Sequence, residues 1–175
     1  ERASLQGENG LFTLTDGQVL QTDKLTLAEL GKIAEIKKAV STLAKTDKNI
    51  KGFEPKQFLI SVHCFGEDAR LTELVRQLDT KGEFYIYWNS GEAYDIFPKR
   101  FGKDKGIEFL VKYLGFDRSC VLAVGNDPND KDLMATVGLG ITTNPQTLEA
   151  AFQTEQEQEL GGEEVIDKIL NLISE

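Results

Sequence analysis

A chain of 175 residues, 40% hydrophobic and 28% charged, is long enough to bury a core as one large domain or two small ones. Its formal charge of −9 argues against a nucleic-acid or anionic-membrane partner, because such surfaces are gripped by clustered Lys and Arg. No apolar run approaches the roughly 18 residues that span a bilayer, and no charged, apolar leader opens the chain, so the expected location is cytoplasmic, with Cys64 and Cys120, each inside an apolar run, reduced and buried.

Residues 7–20 predict two short strands about Asp16-Gly17, since Phe12, Leu14, Val19 and Leu20 flank a dipeptide favoured in hairpins. Thr26 and Glu29 form a capping-box pattern ahead of a helix that carries Leu27, Leu30, Ile33, Ala34, Val40 and Leu43 at helical spacing. A polar, turn-rich stretch at 46–55 leads into a strand at 57–64, rich in Phe58, Leu59, Ile60 and Val62. A second helix would turn Leu71, Leu74, Val75 and Leu78 inward after Glu67 and Asp68, whose charge suits a helix start. Residues 84–88 and 94–97 predict strands joined by a turn at Asn89-Ser90-Gly91 and ended by Pro98. Tyr85 and Tyr87 share one face of the first of these strands and Trp88 the other, as packing or as a stacking platform for a sugar.

Beyond residue 98 the rhythm changes. A helix carries Ile107, Leu110, Val111 and Leu114, an apolar strand covers 120–124, and a helix carries Leu133, Met134 and Val137. A strand near 139–142 and two further helices complete the chain, with an acidic, Gln-rich stretch at 153–159 as a solvated loop or helix end. Continuous apolar strands alternating with helices indicate an α/β fold with a Rossmann-like parallel sheet.

Chemistry concentrates in Gly125-Asn126-Asp127-Pro128-Asn129-Asp130, which follows the apolar strand. In open parallel sheets ligands sit at the carboxyl ends of the strands, and hard oxygens packed this closely suit Mg²⁺. The same residues also make good turns and helix caps. Lys103-Asp104-Lys105-Gly106 stands directly before a helix, where the dipole adds to a cation that could hold a phosphate; taken alone, it reads as surface lysine.

The order Lys-Gly, helix, apolar strand, Gly-Asn-Asp-Pro-Asn-Asp, helix, short strand and Asn144-Pro145 closely resembles the C-terminal core of haloacid dehalogenase-type phosphatases, from Tyr94 to the end of the chain. The branch it most resembles holds sucrose-phosphate and mannosyl-3-phosphoglycerate phosphatases, in which an α/β cap is inserted ahead of this lysine. Glu8-Asn9-Gly10 is similar to the segment that precedes such a cap. The resemblance implies an end of N-terminal core at 1–13, a cap at 14–97 and a C-terminal core at 98–175. It also implies a Mg²⁺-dependent phosphomonoesterase acting on a phosphorylated sugar.

By the same resemblance Lys105 neutralises the phosphoryl group, while Asn126, Asp127 and Asp130 form the metal loop. Asn129, Asn144 and the cap residues His63 and Asp95 would meet substrate. The family has Asp where this chain has Asn126, so metal binding is expected to be weakened or rearranged. No Asp-x-Asp-Gly-Thr-like segment occurs in these residues, nor the Ser or Thr of the family's second motif. The chain alone is therefore expected to be inactive, with upstream residues or a partner chain supplying the nucleophile. The rival expectation is a non-catalytic, phosphatase-derived domain that binds a sugar phosphate or a protein.

Overall fold

The starts of two helices are specified by local chemistry. Helix α1 (Leu27–Leu43) begins at Thr26, whose hydroxyl accepts from the Glu29 amide while the Glu29 carboxylate accepts from the Thr26 amide, the expected capping box. Helix α2 (Ala69–Leu78) starts at Asp68, whose buried carboxylate accepts from the amides of Arg70 and Leu71. The computed structural model describes residues 4–89, 91–156 and 158–174. The turn expected at Asn89-Ser90-Gly91 includes Ser90, and the stretch at 153–159 includes Glu157, both outside the described residues. The chain divides into two units, Glu1–Phe101 and Gly102–Glu175.

The first unit opens with an antiparallel meander of β1 (Leu5–Gly7), β2 (Phe12–Thr15) and β3 (Gln18–Gln21). Asp16 and Gly17 take φ of 49° and 73°, the left-handed pair that a two-residue hairpin turn requires. A four-stranded antiparallel sheet follows, in the order β4–β5–β7–β6, from β4 (Ile50–Phe53), β5 (Ile60–Cys64), β6 (Phe84–Asn89) and β7 (Ala93–Pro98). Alternation assigns its faces. Ile60, Val62, Cys64, Phe84, Tyr94 and Ile96 pack on Ile33, Ile36 and Val40 of α1 and on Leu71 and Val75 of α2. Each large aliphatic side chain so buried contributes about 1.5–3 kcal/mol. Ser61, His63, Tyr85, Tyr87, Asn89 and Asp95 fall on the opposite face by the same alternation.

The meander has β1 as a third strand where two were expected, and two strands of the four-stranded sheet also differ from expectation. Strand β4 lies inside the polar stretch at 46–55, because an edge strand with a register shift between Ile50 and Gly52 needs no apolar alternation. Strand β5 begins at Ile60 and not at residue 57, since the Glu8 carboxylate takes the amides of Gln57, Phe58 and Leu59 at 2.7, 2.6 and 3.0 Å.

Arg100, just past β7, gathers Asp23, the Lys24 carbonyl and Glu29, with Nη2 2.8 Å from Glu29 Oε2. The guanidinium is the largest influence on the Glu29 carboxyl, lowering it from 4.5 to about 2. A depressed carboxylate stabilises the fold above its ordinary value, and that contribution disappears as pH falls from about 4.5 through about 2. Thermal unfolding followed from pH 6 to pH 2 should therefore show a smaller decline in Arg100→Met than in the unaltered protein. Parallel declines would mean the pair contributes nothing.

The second unit contains α3 (Lys103–Leu114), β8 (Leu122–Gly125), α4 (Lys131–Thr136), β9 (Leu139–Thr142), β10 (Phe152–Gln153) and α5 (Gln158–Ser174). Strands β8, β9 and β10 pair in parallel, with β9 central. Helix α3 ends at Gly115, whose φ of 76° forms a left-handed cap. Where two closing helices were expected there are β10 and α5: Thr147 and Leu148 turn back onto the Asn144 carbonyl, and Phe152 then pairs with Ile141. Cys64 is buried as expected. Cys120 is exposed, because it sits in a 3-10 turn capped by Asp117 and the strand starts only at Leu122. Among the described residues β8 has a single strand neighbour, and its Leu122 and Val124 are 38% and 40% exposed. No helix among them is long and apolar enough to cross a membrane.

Candidate active site

Strand β8 delivers the acidic loop at its carboxyl end, and Gly125 makes the loop's closure possible. A Cβ at Gly125 would stand 2.8 Å from the Asp130 carboxylate, so only glycine lets Asp130 fold back over the strand end. Asp130 is 3% exposed; its Oδ2 accepts from the amides of Asn126 and Asp127 at 3.1 and 3.3 Å. Its Oδ1 receives Lys103 Nζ at 2.5 Å, and that ammonium is also 3.3 Å from Asn129 Oδ1. Thr147 Oγ1 donates to the Asn126 carbonyl at 2.6 Å, and the Asn144 amide donates to Thr142 Oγ1 at 3.0 Å, which brings the end of β9 alongside.

The ammonium on this loop therefore belongs to Lys103, where Lys105 was expected. Lys105 pairs instead with Asp104 at 3.1 Å and Glu108 at 3.3 Å, and its pKa is raised first by the hydrogen bond to Asp104. Two residues on a helix are about 200° apart, so the first turn of α3 can aim only one of the two lysines at the loop.

The loop's donor chemistry fits Mg²⁺. Asn126 adds a carboxamide and Asp127 a carboxylate beside Asp130, and Mg²⁺ takes one or two carboxylates with waters and substrate phosphate. Among the described residues no three or more His, Cys, Asp or Glu side chains gather as a closed cage. Both Asp130 oxygens are engaged, and the Asp127 carboxylate accepts from the Asp130 amide in a reciprocal capping box.

In the first unit, the sheet face turned away from the helices carries a second polar group. Register sets Ser61, Asp95 and Tyr87 abreast, and His63, Ala93 and Asn89 abreast. Glu54 lies 2.9 Å from Lys56 Nζ and 3.4 Å from His63 Nε2. The Lys56 ammonium, bonded first to Glu54 and helped by Asp95 and Glu8, titrates above its usual value, and the Glu54 carboxyl below its own, chiefly through Lys56. Asn89 Nδ2 donates to Asp95 Oδ2 at 3.2 Å. Glu54, Lys56 and Asn89 were not foreseen; strand alternation alone would have put Asn89 beside Tyr87.

Tyr85 and Tyr87 stack at 4.8 Å and both pack on Phe97, while Trp88 packs on Tyr94 toward the helices, and all three rings are half-buried. A cavity of about 640 Å³ in the first unit, lined by Glu29, Lys32, Asp79 and Arg100 among others, includes none of His63, Asn89 or Asp95. It is separate from the polar face.

A family model described as haloacid dehalogenase-like hydrolase matches residues 5–149. A curated phosphoglycolate phosphatase of Methanopyrus kandleri is 26% identical over 144 residues, covering 79% of this chain and 61% of that protein. This chain thus spans about 61% of that relative's length. Among solved structures, the sucrose-phosphatase of Synechocystis sp. PCC6803, in complex with sucrose and phosphate, superposes with a TM-score of 0.60 at 18% identity, over 91% of this chain and 71% of that one. A subclass IIB sugar phosphatase gives 0.65 at 14% identity, over 95% and 74%. Likeness at such identity speaks to the fold, an α/β architecture with a Rossmann-like parallel sheet.

Proposed function

The chain belongs to the haloacid dehalogenase-like hydrolases, and from that premise we propose that it contributes to Mg²⁺-dependent hydrolysis of a sugar phosphate. The observation that carries the reading is the meeting of Lys103, Asn129 and Asp130 at the carboxyl end of β8. An ammonium fixed there, with a carboxamide beside it, opposes the charge that phosphoryl transfer concentrates on oxygen. Asp130 sets the position of that ammonium and closes the loop. Asn126 and Asp127 would hold Mg²⁺, which when bound would offset phosphate charge. Residues 14–97 act as a cap, and their polar sheet face, with His63 and Asp95, recognises the hydroxyls of the leaving group. Asn144 belongs to the rim of the phosphate site.

The nucleophilic carboxylate is assigned to a segment outside the 175 residues. This reading is supported by the lack of an Asp-x-Asp-Gly-Thr-like segment within them and by the edge of β8 that no strand among the described residues covers. A second reading, a non-catalytic binding domain, is favoured by the neutral Asn126 and by Asp130, whose two oxygens are already engaged.

Phosphate release by the full-length protein, assayed with sucrose 6-phosphate, glucose 6-phosphate and phosphoglycolate, separates the two. The catalytic reading expects Mg²⁺-dependent release that is faster from a sugar phosphate, and no release from residues 1–175 alone. Binding of the sugar phosphates without release by the full-length protein would establish the non-catalytic reading. Neither binding nor release would remove both.

A further inference from the structure

One polar side chain on the first unit's sheet has a hydrogen-bond inventory that does not close. Asn89, at the end of β6, is 8% exposed; its Nδ2 donates to Asp95, and its Oδ1 is buried without a donor among the described residues. Buried acceptors left unpaired are rare because they lose water and gain nothing in return. For packing alone, a leucine of similar size would serve better at this position.

The orientation of the amide explains the orphan. A carboxylate accepts only, so Asn89 must turn its NH₂ toward Asp95, and its own oxygen is thereby driven into the protein. Asn89 stands opposite Ala93 in the register, one diagonal step from Asp95, within reach across the strand pair. One donor held on one oxygen fixes the plane of the Asp95 carboxylate, which retains acceptor capacity for further hydroxyls.

We propose that Asn89 is a positioning residue: it orients Asp95 as the acceptor for adjacent hydroxyls of a polyol leaving group, and stability is forgone at Asn89 to do so. The inference rests on the reading of this face as the hydroxyl-recognising surface, and its test keeps the two apart. Affinity of the full-length protein for glucose 6-phosphate and for inorganic phosphate, with melting temperature, would be measured for Asn89→Leu and Asp95→Asn.

Asn89→Leu should lose about tenfold in affinity for glucose 6-phosphate, keep its affinity for inorganic phosphate, and melt at the same temperature or a few degrees higher. Asp95→Asn should show the same selective loss. If Asp95→Asn weakens the sugar phosphate and Asn89→Leu does not, the Asn89 role is wrong and the face is right. If Asp95→Asn has no effect, or if the unaltered protein does not bind glucose 6-phosphate, both fail. Equal loss for the two ligands, or a lowered melting temperature in Asn89→Leu, would make Asn89 a structural residue and overturn the proposal.

Discussion

Lys103→Met is expected to lower phosphate release by the full-length protein about 10²–10³-fold, while Lys105→Met stays within about threefold of the unaltered enzyme. The first figure is the usual effect of removing one preorganised donor from the site of developing charge. On the proposed function Lys103 is that donor, its ammonium resting on Asp130 Oδ1 and beside Asn129, whereas Lys105 is occupied by two carboxylates of its own helix. Lys103→Arg should recover only part of the rate, since a planar fork does not reproduce a point charge 2.5 Å from one oxygen. The measurement is kcat for each variant at saturating Mg²⁺. A large loss at 105 with none at 103 would return the phosphate lysine to the Lys-Gly position.

Gly138→Ala should destabilise the second unit by about 3 kcal/mol, the upper end of what overpacking costs where neighbours cannot yield. The added Cβ would stand 1.9 Å from the Ser119 carbonyl oxygen and 2.5 Å from its carbon. Backbone cannot rotate aside as a side chain does. Relief would also part the hydrogen bonds from the Gly138 amide to the Arg118 carbonyl and from the Leu139 amide to the Val121 carbonyl, which tie the start of β9 to the segment before β8. Denaturant unfolding monitored on the second unit gives the difference directly. A midpoint within error of the unaltered chain would show that this close approach is not maintained in solution.

Much of the fold was legible because its signals are local. The capping box at Thr26 and Glu29, the acidic helix start at Asp68 and the left-handed Asp16-Gly17 turn each act within four residues, and each is found where the pattern placed it. Elements set by distant partners were not legible. Strand β4 exists through its pairing with β5, and β5 is shortened by a carboxylate some fifty positions earlier in the chain. The site divides in the same way. The loop at Asn126–Asp130 announces itself by composition, but which lysine reaches it depends on where α3 begins, a matter of a single residue's rotation. Asn89 carries no compositional signal at all, and its interest lies in a missing bond.

The open flank of β8 has a consequence for handling the isolated chain. Among the described residues β8 pairs on one side only, and a parallel strand with such a flank beside the half-exposed Leu122 and Val124 is a template for any extended peptide, including another molecule of the same kind. Residues 1–175 by themselves should be sticky at high concentration, and self-association that vanishes when that flank is covered would trace the stickiness to this one strand.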